Sequence, residues 1–183
     1  MQNADYRVLI DACVLANYGV CDLFLRLAEN PRCFLPLWSE TILDEVHRTH
    51  LTKLGWVQDV ADSFQVAVRE HFPEAIVRGY EPFLSVPTND AKDRHVLAAA
   101  IKGRASLVLT FNLKHFPQSA TDPLQIEVKH PQDYLLTLYS IDPRAVVERL
   151  VVMARKREME LPQLLDKLKV SLPAFSAKLL SVH

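Results

Sequence analysis

Two aspartates three positions apart, Asp90 and Asp93, open the stretch Thr88–Pro117, TNDAKDRHVLAAAIKGRASLVLTFNLKHFP. A helix rich in Val, Leu and Ala is expected behind them, then Gly103, then an apolar strand over Ser106–Thr110 that runs into the polar pair Thr110 and Asn112. With residues 90–102 helical, Asp90, Asp93, Leu97, Ala100 and Ile101 share one face. Asp93 then begins the stripe that packs inward, where a carboxylate is costly to desolvate unless it caps the helix, is paired or holds a cation. Two further acids can arrive at the same place. Tyr6–Asp11 (YRVLID) reads as a short buried strand closed by Asp11. Residues 39–54 read as a helix capped by Ser39, with an apolar stripe of Ile42, Leu43 and Val46. At 100° per residue Glu45 lies on the border of that stripe, while Glu40 and Asp44 point to the far side. Glu45 is therefore the acid expected to reach inward.

Asp11, Glu45, Asp93 and Asp90, with the Asn112 amide oxygen, form a set of hard oxygen donors. Such a set suits Mg²⁺ or Mn²⁺ rather than Zn²⁺. Ions of this kind keep several waters and bind phosphates, and they can acidify a water and stabilise charge at phosphorus. The chemistry implied is hydrolysis of a phosphodiester, with a phosphatase acting on small phosphoesters as the competing reading. Taken singly, each acid has a plainer role: Asp90 or Asp93 as a helix cap, Asp11 as a turn residue, Glu45 as a solvated border residue. Only their joint placement points to a metal.

Other chemistries lack their signatures. There is no P-loop, no GxGxxG and no GxSxG, and His47 and His50 are three apart rather than the four of a zincin helix. His95, His115 and His130 read as surface or site-rim residues.

The elements that would position these groups alternate. Helices are expected over 14–29, 39–54, 57–71 and 131–139, and short strands over 33–37, 75–78 and 126–129. Pro36 limits the second strand to an edge or a turn. The pattern predicts an α/β fold with an open, mostly parallel sheet, in which ligands sit outside the carboxyl ends of the strands. After Ser140 only helices are expected, over 143–158, 161–168 and around Pro173. This tail is too small to bury a core alone, so it is expected to dock on the main domain, a second copy or a partner. The division expected is a main domain over 1–139 and a helical extension over 140–183.

Composition adds bounds. The 183 residues suit one domain with a small appendage, and the net charge of −1 gives no overall pull toward nucleic acid. Three cysteines without a CxxC pair read as reduced, buried thiols. No apolar run is long enough to span a membrane and no signal-peptide pattern is seen, so a cytoplasmic protein is expected.

The ordered motifs VLIDACVL (8–15), WSETILDEVHR (38–48), DAKDRHVLAAA (90–100) and VLTFNLKHFP (108–117) resemble those of PIN domains, closest to bacterial VapC-like toxins with an extra helical C-terminal region. The resemblance implies a three-layer fold and a Mg²⁺- or Mn²⁺-dependent endoribonuclease. It also implies the toxin of a type II toxin–antitoxin pair, often a homodimer, with RNA as substrate and a small antitoxin as partner. It puts the catalytic acids at Asp11, Glu45 and Asp93, and an additional metal-binding acid at Asp90. The family's fourth acidic position falls on Asn112, and an aspartate common in relatives is His115 here. These departures open the alternative of a catalytically weakened PIN fold that binds RNA or a partner as a regulator. Thr110, Asn112 and His115 are the supporting polar groups. Arg48, Arg94 and Lys114 are the candidates for RNA phosphates, with Lys92 and the Arg155–Arg157 run behind them.

Overall fold

The computed structural model describes residues 5–182. Strand β1 (Arg7–Ile10) is apolar after its first residue because both faces of the sheet are covered. It leads through α1 (Ala12–Leu15) and α2 (Tyr18–Ala28) to β2 (Leu35–Ser39). Helices α3 (Glu40–Thr52) and α4 (Gln58–His71) follow, then the two-residue β3 (Ile76–Val77), α5 (Arg94–Gly103) and β4 (Leu107–Leu109). The short α6 (Gln118–Thr121) precedes β5 (Glu127–Lys129), and α7 (Pro131–Ile141), α8 (Pro143–Lys156), α9 (Leu161–Leu168) and α10 (Pro173–Leu180) close the chain. The strands form one sheet in the order β3-β2-β1-β4-β5, and every pair is parallel. The α/β class and parallel sheet expected from the alternating pattern are what the chain adopts.

Three local expectations are corrected. Residues 14–29 are not one helix: the Asn17 side chain accepts the Val20 N–H at 3.3 Å and starts α2 afresh. The organising helix begins at Arg94 rather than at 90, because Asp90 Oδ1 accepts the Lys92 N–H at 3.0 Å and holds the chain in a side-chain turn. β2 is not an edge strand, although it contains Pro36. The Leu35 N–H bonds Tyr6 O on the β1 side, so Pro36 faces the other way, and β3 pairs only with Trp38 and Ser39. No ladder bond is lost at the proline.

The sheet runs out from β1 through β2 to β3 and returns to β4 on the other side of β1. The carboxyl ends of β1 and β4 therefore flank the point where the strand order reverses, which is where ligands bind in such folds. Gly103 allows the end of α5 to press on the sheet, since a Cβ there would meet Leu37 Cδ1 at 2.9 Å and Val77 Cγ2 at 3.0 Å. Helices α8–α10 bury Val146, Leu150, Leu164, Phe175 and Leu179 in the same core as Phe24, Phe34 and Trp38. Arg157 Nη2 bonds Asp22 Oδ2 at 2.9 Å, and Asn17 Nδ2 donates to Ser171 Oγ at 2.9 Å. The helical tail thus docks against α2 of its own chain. Among the described residues no helix is long and apolar enough to cross a membrane.

One buried group gives the fold a pH dependence. His50 is fully buried, stacked on Trp56 at 3.8 Å and edge-on to Phe64 at 4.9 Å, and among the described residues neither ring nitrogen meets a partner at hydrogen-bond geometry. Burial lowers its pKa from the ordinary 6.5, with the neighbouring Ala16 carbonyl opposing the fall and His47 adding to it. The unfolded chain takes up a proton near that value and the folded chain resists it. Stability from this group is full above the unfolded pKa and is lost as pH falls below it, down to the lowered folded value. Urea midpoints at pH 7 and pH 5 are expected to fall with acid in the wild type, and to fall less in His50→Phe. An equal fall in both would show that His50 is not the responsible group.

Candidate active site

Asp11 leaves the end of β1 as the cap of α1 and is 4% exposed. Its Oδ1 accepts the Ala12 N–H at 2.7 Å, and its Oδ2 accepts the Thr110 hydroxyl at 2.7 Å. Thr110 stands one residue beyond β4 and in turn accepts the Asn112 N–H at 3.0 Å. This chain of bonds ties the two strand ends together and fixes the Asp11 carboxylate. Cys13 joins it: the thiol lies 3.2 Å from Asp11 Oδ2, in donating geometry, and its sulfur accepts the Phe111 N–H at 3.3 Å. Burial and the Asp11 charge push the Cys13 pKa up to about 12, so the thiol stays protonated and donates. Of the three thiols expected to be buried only Cys21 is so, while Cys13 and Cys33 are half-buried; the position of Cys13 two after a strand-end acid is the sequence signal for its role.

A cavity of about 860 Å³ opens beside this network. Asp11 from β1, Glu45 from α3, Asp93 from the residue before α5 and Asn112 from the loop after β4 all line it. Glu40, the acid judged to point away, instead pairs with Arg69 at 2.7 Å and Arg78 at 3.6 Å. Asp93 sits at the cap position of α5 but makes no cap bond, so its carboxylate is not committed to the helix. Burial raises its pKa, His115 opposes the rise, and the nearby Asp11 and Asp90 charges push further upward. The Asp90 side chain is exposed and does not line the cavity; Asp90 bears on the site through its charge and through its carbonyl, which accepts the Asp93 N–H at 3.0 Å.

Two imidazoles sit on the acids. His115 Nδ1 is 3.0 Å from Asp93 Oδ2, and His95 Nε2 is 3.3 Å from Glu45 Oε1. His115 thus lies against a carboxylate rather than beside a free phosphate position. Of the cationic candidates only Arg48 lines the cavity. Arg94 turns its Nε to the Asn89 carbonyl at 3.3 Å, and Lys114 is exposed away from the cavity. Lys53, Asn17 and Tyr18 line it and were not foreseen.

The donor chemistry suits a hard divalent cation: all-oxygen groups from separate elements, and an Asp93 carboxyl whose pKa is raised by burial, with the Asp11 and Asp90 charges adding to the rise. As the side chains stand, no three His, Cys, Asp or Glu groups among the described residues converge closely enough to hold an ion. Asp93 and Glu45 each face an imidazole, His115 and His95.

The PIN domain family profile matches residues 5–114. A protein of Mycobacterium tuberculosis (strain ATCC 25618 / H37Rv) provisionally named ribonuclease VapC50 is 41% identical over 107 residues, 57% of this chain and 63% of that protein. The match therefore spans less than two thirds of that relative. No solved structure matches the chain.

Proposed function

The chain belongs to the PIN domain family, and from that footing we propose that it is a divalent-metal-dependent endoribonuclease, the toxin of a type II toxin–antitoxin module that inhibits growth by cutting RNA. The observation that carries this reading is the meeting of Asp11, Glu45 and Asp93, from three different elements, around one cavity at the strand-order reversal. Asp11 and Asp93 would hold a Mg²⁺ or Mn²⁺ ion directly, with Glu45 at a second ion or accepting a hydrogen bond from the attacking water. Such an ion supplies stabilisation of charge at phosphorus and a more acidic water. The residues do the rest. Thr110 and Cys13 hold the Asp11 carboxylate in place, Asn112 offers its amide to the same wall, and Arg48 with Lys53 balances the phosphates of the strand.

In this reading residues 1–139 are the nuclease domain and 140–183 a helical extension seated on it. The protein works in the cytoplasm as a homodimer and is held in check by a small antitoxin that covers the acids. A second reading has an observation of its own. With Asn112 and His115 where the family resemblance implies acids, and imidazoles on two of the three cavity acids, the protein would bind RNA or a partner without cutting it.

Thermal melting tests the metal site directly. Mn²⁺ at ~100-fold over its dissociation constant stabilises by about 2.7 kcal/mol, which for a domain of this size is roughly 5–10 °C. Wild type is expected to show that rise and the Asp93→Asn, Glu45→Gln double variant to lose it. No rise in the wild type at any Mn²⁺ concentration would contradict the metal-dependent reading.

A further inference from the structure

The mouth of the cavity carries a built aromatic feature that the hydrolytic chemistry does not use. Tyr18, the first residue of α2, lines the same cavity as the three acids and remains 55% exposed. Its ring is nevertheless held. The Arg157 guanidinium lies 4.9 Å from the ring centroid, and Trp56 meets it edge-on at 6.0 Å and 71°. Each support is itself anchored: Arg157 by Asp22 at 2.9 Å, and Trp56 by its stack on the buried His50 at 3.8 Å. Arg48 and Lys53, from α3 and its end, place positive charge in the cavity wall.

An exposed ring held by a guanidinium and by a second ring set steeply to it, with cations nearby and carboxylates beyond, matches the way proteins grip unpaired nucleotides. A flat side chain offers a stacking face to any base, and positive groups follow the backbone. Holding the ring in advance removes an ordering cost that a free surface tyrosine would incur on binding. The wall mixes apolar groups such as Ala12, Ala16 and Leu54 with polar and charged Asn17, Arg48 and Lys53, and it is the two cations that favour a phosphate backbone as the occupant.

We propose that Tyr18 is the stacking platform for an unpaired base of the substrate beside the carboxylates, braced by Arg157 from the C-terminal helices. This rests on the nuclease reading and extends it. Arg157 lies outside the family-matched residues 5–114, so the extension contributes to substrate recognition through the ring that it braces, as well as to the core.

The test is equilibrium binding of a fluorescein-labelled single-stranded oligoribonucleotide of mixed sequence in EDTA, where metal-dependent cutting is suppressed. Tyr18→Leu keeps apolar bulk without a π face, and Tyr18→Phe keeps the ring. Tyr18→Leu is expected to weaken binding about 5- to 150-fold, the range for loss of one stacked base, and Tyr18→Phe to bind like wild type. The dependence of affinity on salt should be unchanged in Tyr18→Leu, whereas Lys53→Ala should lower its log–log slope by about 0.7. Circular dichroism melts establish that each variant is folded; should Tyr18→Leu fail to fold, Arg157→Ala, which leaves Tyr18 in place and removes its brace together with the Asp22 ion pair, is expected to weaken binding by a smaller factor. Folded Tyr18→Leu, or failing it folded Arg157→Ala, that binds as tightly as wild type overturns the proposal and leaves the ring to a protein partner, with the nuclease reading intact. Wild type that neither binds nor cuts RNA removes the nuclease reading and this proposal with it.

Discussion

Replacing Asp93 by asparagine is expected to abolish RNA cleavage and to leave the protein at least as stable as wild type. The chemical loss should be roughly 10³-fold or more, the scale on which removing a group that stabilises transition-state charge is felt. The stability expectation follows from what Asp93 lacks. It makes no cap bond to α5, and burial together with the Asp11 and Asp90 charges raises its pKa. A carboxyl with a raised folded pKa binds its proton more readily when folded. It therefore costs stability at neutral pH, and the cost disappears as pH falls through the raised value. The neutral amide removes that cost and gives up only the contact with His115 at 3.0 Å. Urea midpoints at pH 7 and initial rates on a labelled RNA check both halves. A folded variant that cuts like wild type would remove Asp93 from the chemistry.

Asp11→Ala should behave differently, losing both cleavage and stability. The buried Asp11 carboxylate accepts from Ala12 N–H, the Thr110 hydroxyl and the Cys13 thiol. Truncation strands these donors beside an apolar methyl, and unsatisfied buried polar groups cost about 1–3 kcal/mol each. With partial relaxation a total of about 2–4 kcal/mol is expected. Asp11→Asn separates the two roles: the amide oxygen still accepts from Ala12, and the Thr110 hydroxyl can turn to accept from the amide. That variant should lose cleavage while keeping most of its stability. Equal urea midpoints for Asp11→Ala and wild type would show that the bond network around Asp11 does not hold the two strand ends together.

The contrast between these acids explains what the sequence could reveal. Asp11 ends an apolar run, so a strand and the end it marks were visible together. Glu45 was placed by angle alone, because the Ile42, Leu43 and Val46 stripe orients α3 and a helix leaves little choice about where the next residue points. Ser39 announced its helix and caps it, accepting the Ile42 N–H at 3.2 Å.

What stayed hidden depends on bonds between side chains and backbone that no periodicity records. The Asn17 cap breaks the predicted helix and turns Tyr18 into the cavity. The Asp90 turn delays α5 and keeps Asp90 exposed. Cys13 acquires its role only when Thr110 and Phe111 arrive from the end of the neighbouring strand β4, distant in sequence. Pro36 looked like an edge residue because local chemistry cannot show that a neighbouring strand is two residues long. The packing of the last helices on their own chain, with Arg157 paired to Asp22 on α2, was not written in any local pattern.

The central claim is that this cavity cuts RNA with the help of a divalent ion. The most direct measurement is cleavage of a mixed RNA pool by the purified protein with Mg²⁺, Mn²⁺ or EDTA, run beside Asp93→Asn. The account predicts discrete products with metal, none with EDTA and none from the folded variant. Intact RNA with both metals, from a protein that is folded and binds Mn²⁺, would contradict it and favour the non-cutting reading. Cleavage that persists in EDTA or in Asp93→Asn would contradict the assignment of the site.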